Sequence, residues 1–178
     1  MRKQKAFIIK LTVTAMLIAL YFVFDRFTAI NLLSNQYKLS FIPLIIGAVF
    51  FGPICGIAVG GLGDLISALL MPTGAYFPGF TISGALTGLI YGFFLYKYPL
   101  TLPRVSLAWV VNTLVVETFL AAYWLFLLYS AGTGKGYEVW LLSRVISQAV
   151  KAVPEILLIF IVGRLAVNAH KRLEGSYK

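Results

Sequence analysis

The chain has 178 residues, 60% of them hydrophobic and only 12% charged, with a mean hydropathy of +0.91. A soluble domain is nearer a quarter charged, so a soluble enzyme is excluded and no length remains for an ATP-binding domain; no G-x-x-x-x-G-K-[ST] phosphate loop occurs. The net charge of +9 would suggest a nucleic-acid partner in a soluble protein, but fits better the Lys and Arg excess on the cytoplasmic side of membrane proteins.

The first apolar run, about 7–25, follows MRKQK and imitates a signal peptide. It is long, ends at Asp25-Arg26 and lacks a small-x-small cleavage site, so it reads as a retained first span. Ala15 and Ala19 lie on one of its faces as an A-x-x-x-A pair, a pattern that lets helices approach closely. The apolar stretch 40–71 is too long for one crossing of about 20 residues. Gly52-Pro53 divides it, because proline lacks a donor and disfavours helix in the residue before it. A short second helix and a longer third result. The fourth span is expected at about 80–97, the fifth at about 104–130 and the sixth at about 139–165.

Six spans put both termini on one side. That side then holds ten basic residues: Arg2, Lys3, Lys5, Lys10, Lys97, Arg104, Arg164, Lys171, Arg172 and Lys178. The other holds Arg26, Lys38 and Lys135. This asymmetry places both termini in the cytoplasm. The expected architecture is an all-α membrane protein, a single domain over 1–178, with six transmembrane helices and outer loops at about 26–39, 72–79 and 131–138. The second loop, MPTGAYFPGF from Met71, holds two prolines, two glycines and three aromatic residues. It is a shaped turn, and Tyr76 and Phe77 suit either a ligand or an interfacial belt. Gly52, Gly56 and Gly60 form two G-x-x-x-G steps; Gly84, Gly88 and Gly92 form two more. Packing within the bundle is their expected role.

The sixth span carries a polar row. Arg144, Gln148, Lys151 and Glu155 stand at i, i+4, i+7 and i+11, one face of a helix. Charges within a span are expensive and face the bundle interior, a ligand or a water-filled cavity. At about 1.5 Å per residue, Arg144 is shallow and Glu155 deep. Glu117 falls near the middle of the fifth span, Asp64 about two turns below the outer end of the third, and Arg26 at the outer end of the first. An outward-facing ligand pocket would be lined by them. Arg26, Arg144 and Lys151 suit carboxylates. Asp64 or Glu117 can accept hydrogen bonds from an amino-heterocycle, and Tyr76, Phe77, Tyr123 and Trp124 can stack on a flat ring. A flat polar ring with an acidic tail meets these demands. A purely structural alternative pairs Asp64 and Glu117 with Lys151 and Arg144 as a buried salt-bridge set. No HExxH, GxSxG or paired His/Asp cluster occurs, so no catalytic residue, metal ligand or cofactor is assigned. Cys55 and His170 are the only residues of their kinds, which leaves no intrachain disulfide and no cysteine metal cluster.

The stretch FIPLIIGAVFFGPICGIAVGGLGDLISALLMPTGAYFPGFTISGALTGLIYGFFLY, residues 41–96, resembles the substrate-binding S components of energy-coupling factor vitamin transporters. Within it, GDLISALLMPTGAYFPGFTISGALTGLIYG looks most like the folate-type S component. The resemblance implies a bacterial plasma-membrane protein of six helices, with an outward pocket roofed by the loops after spans one, three and five. It also implies a transmembrane coupling subunit docking at Ala15 and Ala19, two cytoplasmic ATPase subunits that supply the energy, and toppling of the bundle to carry vitamin inward. S components for a pyrimidine precursor (hydroxymethylpyrimidine) or another small heterocycle share much of this pattern. An intramembrane lipid enzyme, the alternative from another class, lacks a catalytic set here.

Overall fold

A computed structural model describes residues 2–175, apart from Leu33, Ser34, Thr73, Ala75 and Lys135. Lys135 and Lys178, two of the cations counted above, lie outside the described residues. Six helical rods follow one another: α1 (Arg2–Phe27), α2 (Phe41–Phe51), α3 (Pro53–Leu70), α4 (Pro78–Leu95), a fifth rod, and α7 (Tyr137–Gly175). The fifth rod runs without a break from α5 (Leu102–Asn112) through a π-helical stretch (Thr113–Leu120) into α6 (Ala121–Thr133). One departure from an all-α chain stands in the first loop, where β1 (Ile30–Leu32) pairs antiparallel with β2 (Asn35–Tyr37).

Prolines start several rods. Pro53, Pro78 and Pro103 occupy the first turns of α3, α4 and α5, where a missing N–H costs nothing. Between α2 and α3 the chain reverses at Gly52, whose φ of 86° suits glycine. The Tyr96 ring lies where a Cβ at Gly52 would come within 3.0 Å.

The glycine ladders lock α3 to α4. A Cβ at Gly56 would stand 2.3 Å from the Gly88 carbonyl oxygen, and one at Gly60 2.1 Å from that of Gly84. Backbones therefore touch, antiparallel, over two turns, as the intramolecular reading of these motifs expects. Tyr21 of α1 packs closely against Gly63 of α3, while Thr14 Oγ1 meets Cys55 Sγ at 3.1 Å. All six rods contribute to one core, from Leu17 of α1 through Leu44, Val59, Tyr91 and Trp109 to Ile159 of α7.

Five helices among the described residues are long and apolar enough to cross a membrane. α2, with 11 residues, spans only about 16 Å. Its two ends border different cavities. Ser40, Phe41 and Leu44 border a cavity at the end away from the termini, whereas Val49 and Phe50 border a second at the end that carries them.

Candidate functional site

The first cavity, about 220 Å³, collects the polar residues of five rods. Asp64 of α3, Glu117 of the π stretch, and Gln148 and Lys151 of α7 all line it. These are four of the eight residues that the sequence marks as ligand-binding. The polar row of α7 supplies three wall residues, Gln148, Lys151 and Glu155, because i, i+3 and i+7 share a helix face.

Three of these side chains have named partners. Thr81 Oγ1 donates to Asp64 Oδ2 at 2.9 Å, joining α4 to α3. Gln148, only 4% exposed, points its Nε2 at Glu117 Oε2 from 3.4 Å. The π stretch bears on Glu117. Every residue inserted into a helix rotates the later positions by about 100°, so a widened turn sets which side chain looks inward. Such segments concentrate at functional sites. Pro154 within α7 cannot donate to the carbonyl four residues earlier, which loosens the helix between Lys151 and Glu155.

The other side of the wall is built largely from residues not expected at the site. Asp25, 3% exposed, accepts from Lys38 Nζ at 2.9 Å and lies 3.5 Å from Ser40 Oγ. Tyr21 and Phe41 adjoin it, and Phe80, Ser83, Gly84 and Thr87 supply the α4 face. That face was readable, since positions 80, 83, 84 and 87 stand at i, i+3, i+4 and i+7. Asp25 and Lys38 carry no such pattern, because they meet only when the first loop folds back on α1.

Four expected ligand residues lie outside this wall. Arg26 is buried beside Asp25, its Nε 3.4 Å from Oδ2. Tyr76 is exposed, its hydroxyl 3.5 Å from Thr81 Oγ1. Phe77 turns to Trp124, with ring centroids 5.5 Å apart; Gly79 permits this, since a Cβ there would meet both rings within 2.6 Å. Trp124 Nε1 in turn donates to Ser83 Oγ at 3.0 Å, so the aromatic loop braces the wall from behind. Arg144 is half-buried one turn beyond Gln148. Ala15 and Ala19 are exposed on α1, on the side away from Leu17 and Tyr21, which enter the core.

Four carboxylates (Asp25, Asp64, Glu117, Glu155) and two ammonium groups (Lys38, Lys151) thus face one small space. An excess of carboxylate acceptors suits a ligand rich in N–H donors, and the two cations suit an acidic group. Among the described residues no group of three His, Cys, Asp or Glu could hold a metal ion.

The "Folate transporter FolT" of Clostridium novyi is 35% identical over 136 residues, covering 76% of this chain and 77% of its own. The protein of the same name from Leuconostoc mesenteroides is 30% identical over 139 residues, covering 76% and 74%. The crystal structure of FolT bound with folic acid superposes with a TM-score of 0.77 at 31% identity, over 86% of this chain and 90% of that one. The family described as "ECF transporter, substrate-specific component" matches residues 9–163, and to that family of membrane transport proteins this chain belongs.

Proposed function

We propose that this chain is a single-domain, folate-binding S component of a bacterial plasma membrane, which captures folate outside the cell and passes it inward with energy from separate ATPase subunits. It is a substrate-binding component and not an enzyme. The observation that carries the reading is the carboxylate-rich cavity in a chain this similar to folate transporters and to a structure holding folic acid. A pterin presents several N–H donors in one plane, which Asp64 and Glu117 are suited to accept. The cavity's 220 Å³ falls below the roughly 300–1,000 Å³ of pockets that take drug-sized ligands. It accommodates the flat ring, and the acidic tail extends toward the mouth, where Lys38 and, one turn further out, Arg144 offer cations. Tyr21, Phe41 and Phe80 are the nearest rings to stack on the pterin.

Six spans with cytoplasmic termini fit the charge asymmetry, and α2 counts as a span because its two ends reach the two end cavities. The cavity then opens outward. Ala15 and Ala19, exposed and small, offer the coupling subunit a surface for close helix approach. Calorimetry with folate, thiamin, riboflavin, biotin and hydroxymethylpyrimidine tests the assignment. Folate is expected to bind without ATP and far more tightly than the others. Folate affinity no better than about 1 mM, the weak end of the scale, refutes it.

A further inference from the structure

At the end of the bundle that carries the termini lies the second cavity, about 770 Å³. Its contributors are the end of α2, the turn after α4 and the last third of α7, and the proposed folate site uses none of them. Lys97 and Arg164 are its cations, and both are exposed. Neither pairs with a carboxylate among the described residues. Instead the cations lie on aromatic rings: Lys97 Nζ 5.2 Å from the Tyr96 centroid and Arg164 Cζ 4.6 Å from that of Phe160. Such stacking orients a cation without neutralising it. Lys97 has a φ of 61°, the only positive value at a residue with a side chain among those described. A conformation so uncommon for lysine points to a turn built to present it. Nearby, Arg104 stacks 3.7 Å over Tyr98 and donates from Nε to the Phe94 carbonyl at 2.8 Å, which stiffens the turn from outside.

Most of the remaining wall is apolar, with Val49, Phe50, Leu95, Leu100 and Val167 among its members, while Asn168 and the tyrosines Tyr96 and Tyr98 add polar groups. With the termini in the cytoplasm, as proposed above, a basic rim beside a largely apolar wall at this end of the bundle matches a molecule with an anionic head and an aliphatic body. Basic pockets between spans on the cytoplasmic side suit such headgroups. We propose that this cavity binds the phosphate headgroup of an anionic phospholipid, with Lys97 and Arg164 as its ligands. The proposal rests on the membrane orientation given above, not on the identity of the vitamin.

Native mass spectrometry of the full chain in micelles containing phosphatidylglycerol or phosphatidylcholine tests it, with folate affinity measured on the same samples. The parent should retain one phosphatidylglycerol in preference to phosphatidylcholine. Lys97→Gln and Arg164→Gln should each weaken retention about fivefold, and the double variant about 25-fold, at the energy of one basic residue near an anionic surface. Folate affinity should stay unchanged in all three, which also reports an intact fold. Equal retention of the two lipids, or a double variant that holds phosphatidylglycerol like the parent, overturns the proposal. Glycerol phosphate emptying the site at micromolar concentration would assign it to a soluble phosphate and overturn the lipid source. A double variant that keeps the lipid but no longer co-purifies with a coupling subunit would make the cavity a protein dock. Failure of the folate reading would show in the parent's folate titration, whereas failure of this one shows in the lipid comparison between parent and variants.

Discussion

Replacing Gly60 with alanine tests how the α3–α4 contact supports the folate site. The new Cβ would stand 2.1 Å from the Gly84 carbonyl oxygen and 2.9 Å from Leu44 Cδ1. Ordinary contact begins near 3.4 Å, so the two backbones must part by roughly 1.3 Å. Overpacking of this kind costs about 1–3 kcal/mol, and a chain of this size loses about 2–4 °C in Tm for each kcal/mol. The site suffers as well. Asp64 stands one turn beyond Gly60, and Thr81 reaches it from α4 across 2.9 Å; adding the separation takes that hydrogen bond beyond its limit. A hydrogen bond to a charged group is worth about 1.5–3 kcal/mol, so folate affinity should fall at least about tenfold. Gly56→Ala has nearly the same overlap, 2.3 Å from the Gly88 oxygen, but neither residue lines the cavity. It should lower Tm comparably while weakening folate much less. Gly132→Ala, with nothing within 4 Å, should leave both unchanged. Thermal unfolding in detergent and calorimetric titration read the two quantities. A Gly60→Ala protein with the parent's Tm and folate Kd would refute the reasoning.

Lys151→Ala should weaken folate by about 2–5 kcal/mol, the cost of stripping one partner from a desolvated charge set, and Arg144→Ala by less, because only Lys151 lines the cavity; equal losses in a titration would refute that ranking. Asp25→Asn removes the negative charge facing Lys38 in a pair whose acid is almost fully buried, so stability should drop by about 3–5 kcal/mol, read as a lower Tm that Lys38→Met added to it partly restores. Ala15→Leu with Ala19→Leu should leave folate affinity unchanged, since both face out of the bundle, yet abolish co-purification with the coupling subunit and folate uptake; lost affinity or a retained complex counts against the docking face.

Regular spacing made parts of this structure legible in advance. Gly52-Pro53 divides α2 from α3 because its chemistry admits little else, and the glycine ladders meet one another because four-residue spacing puts them on one face. The row on α7 likewise brings Gln148 and Lys151 to one cavity wall. Legibility failed where a contact depends on the path of a loop. Phe77 and Phe80 look equivalent in the sequence, but α4 begins at Pro78, so Phe80 follows the helical period into the cavity wall while Phe77 turns back onto Trp124. Asp25 and Lys38 become neighbours only through the β1–β2 ribbon. The π stretch carries a weak mark: Thr113, Val115, Val116 and Thr118 are β-branched and so loosen the preference for a tight helix. Nothing in that pattern says where the widened turn falls, and so nothing in it gives the facing of Glu117.

The two cavities and the small-residue face of α1 are joined by an unbroken helix and by closely packed backbones. Tyr21 and Asp25, at the ligand end, belong to the same unbroken helix as Ala15 and Ala19. Behind them α3 and α4 touch backbone to backbone at Gly56–Gly88 and Gly60–Gly84, and a Cβ at Gly92 would stand 2.4 Å from Pro53 Cα. Contacts of that closeness resist sliding, because a shift of an ångström forfeits the packing or creates overlap. A transport cycle that worked by spreading α3 from α4 would have to break the tightest interface in the bundle. Movement of the bundle as one body, with the first loop held by Lys38–Asp25 and the aromatic loop by Phe77–Trp124, leaves that interface intact. Crosslinking α3 to α4 through paired cysteines should therefore leave uptake by the assembled transporter near the parent's rate, and a crosslink that stopped uptake without lowering folate affinity would contradict whole-body movement.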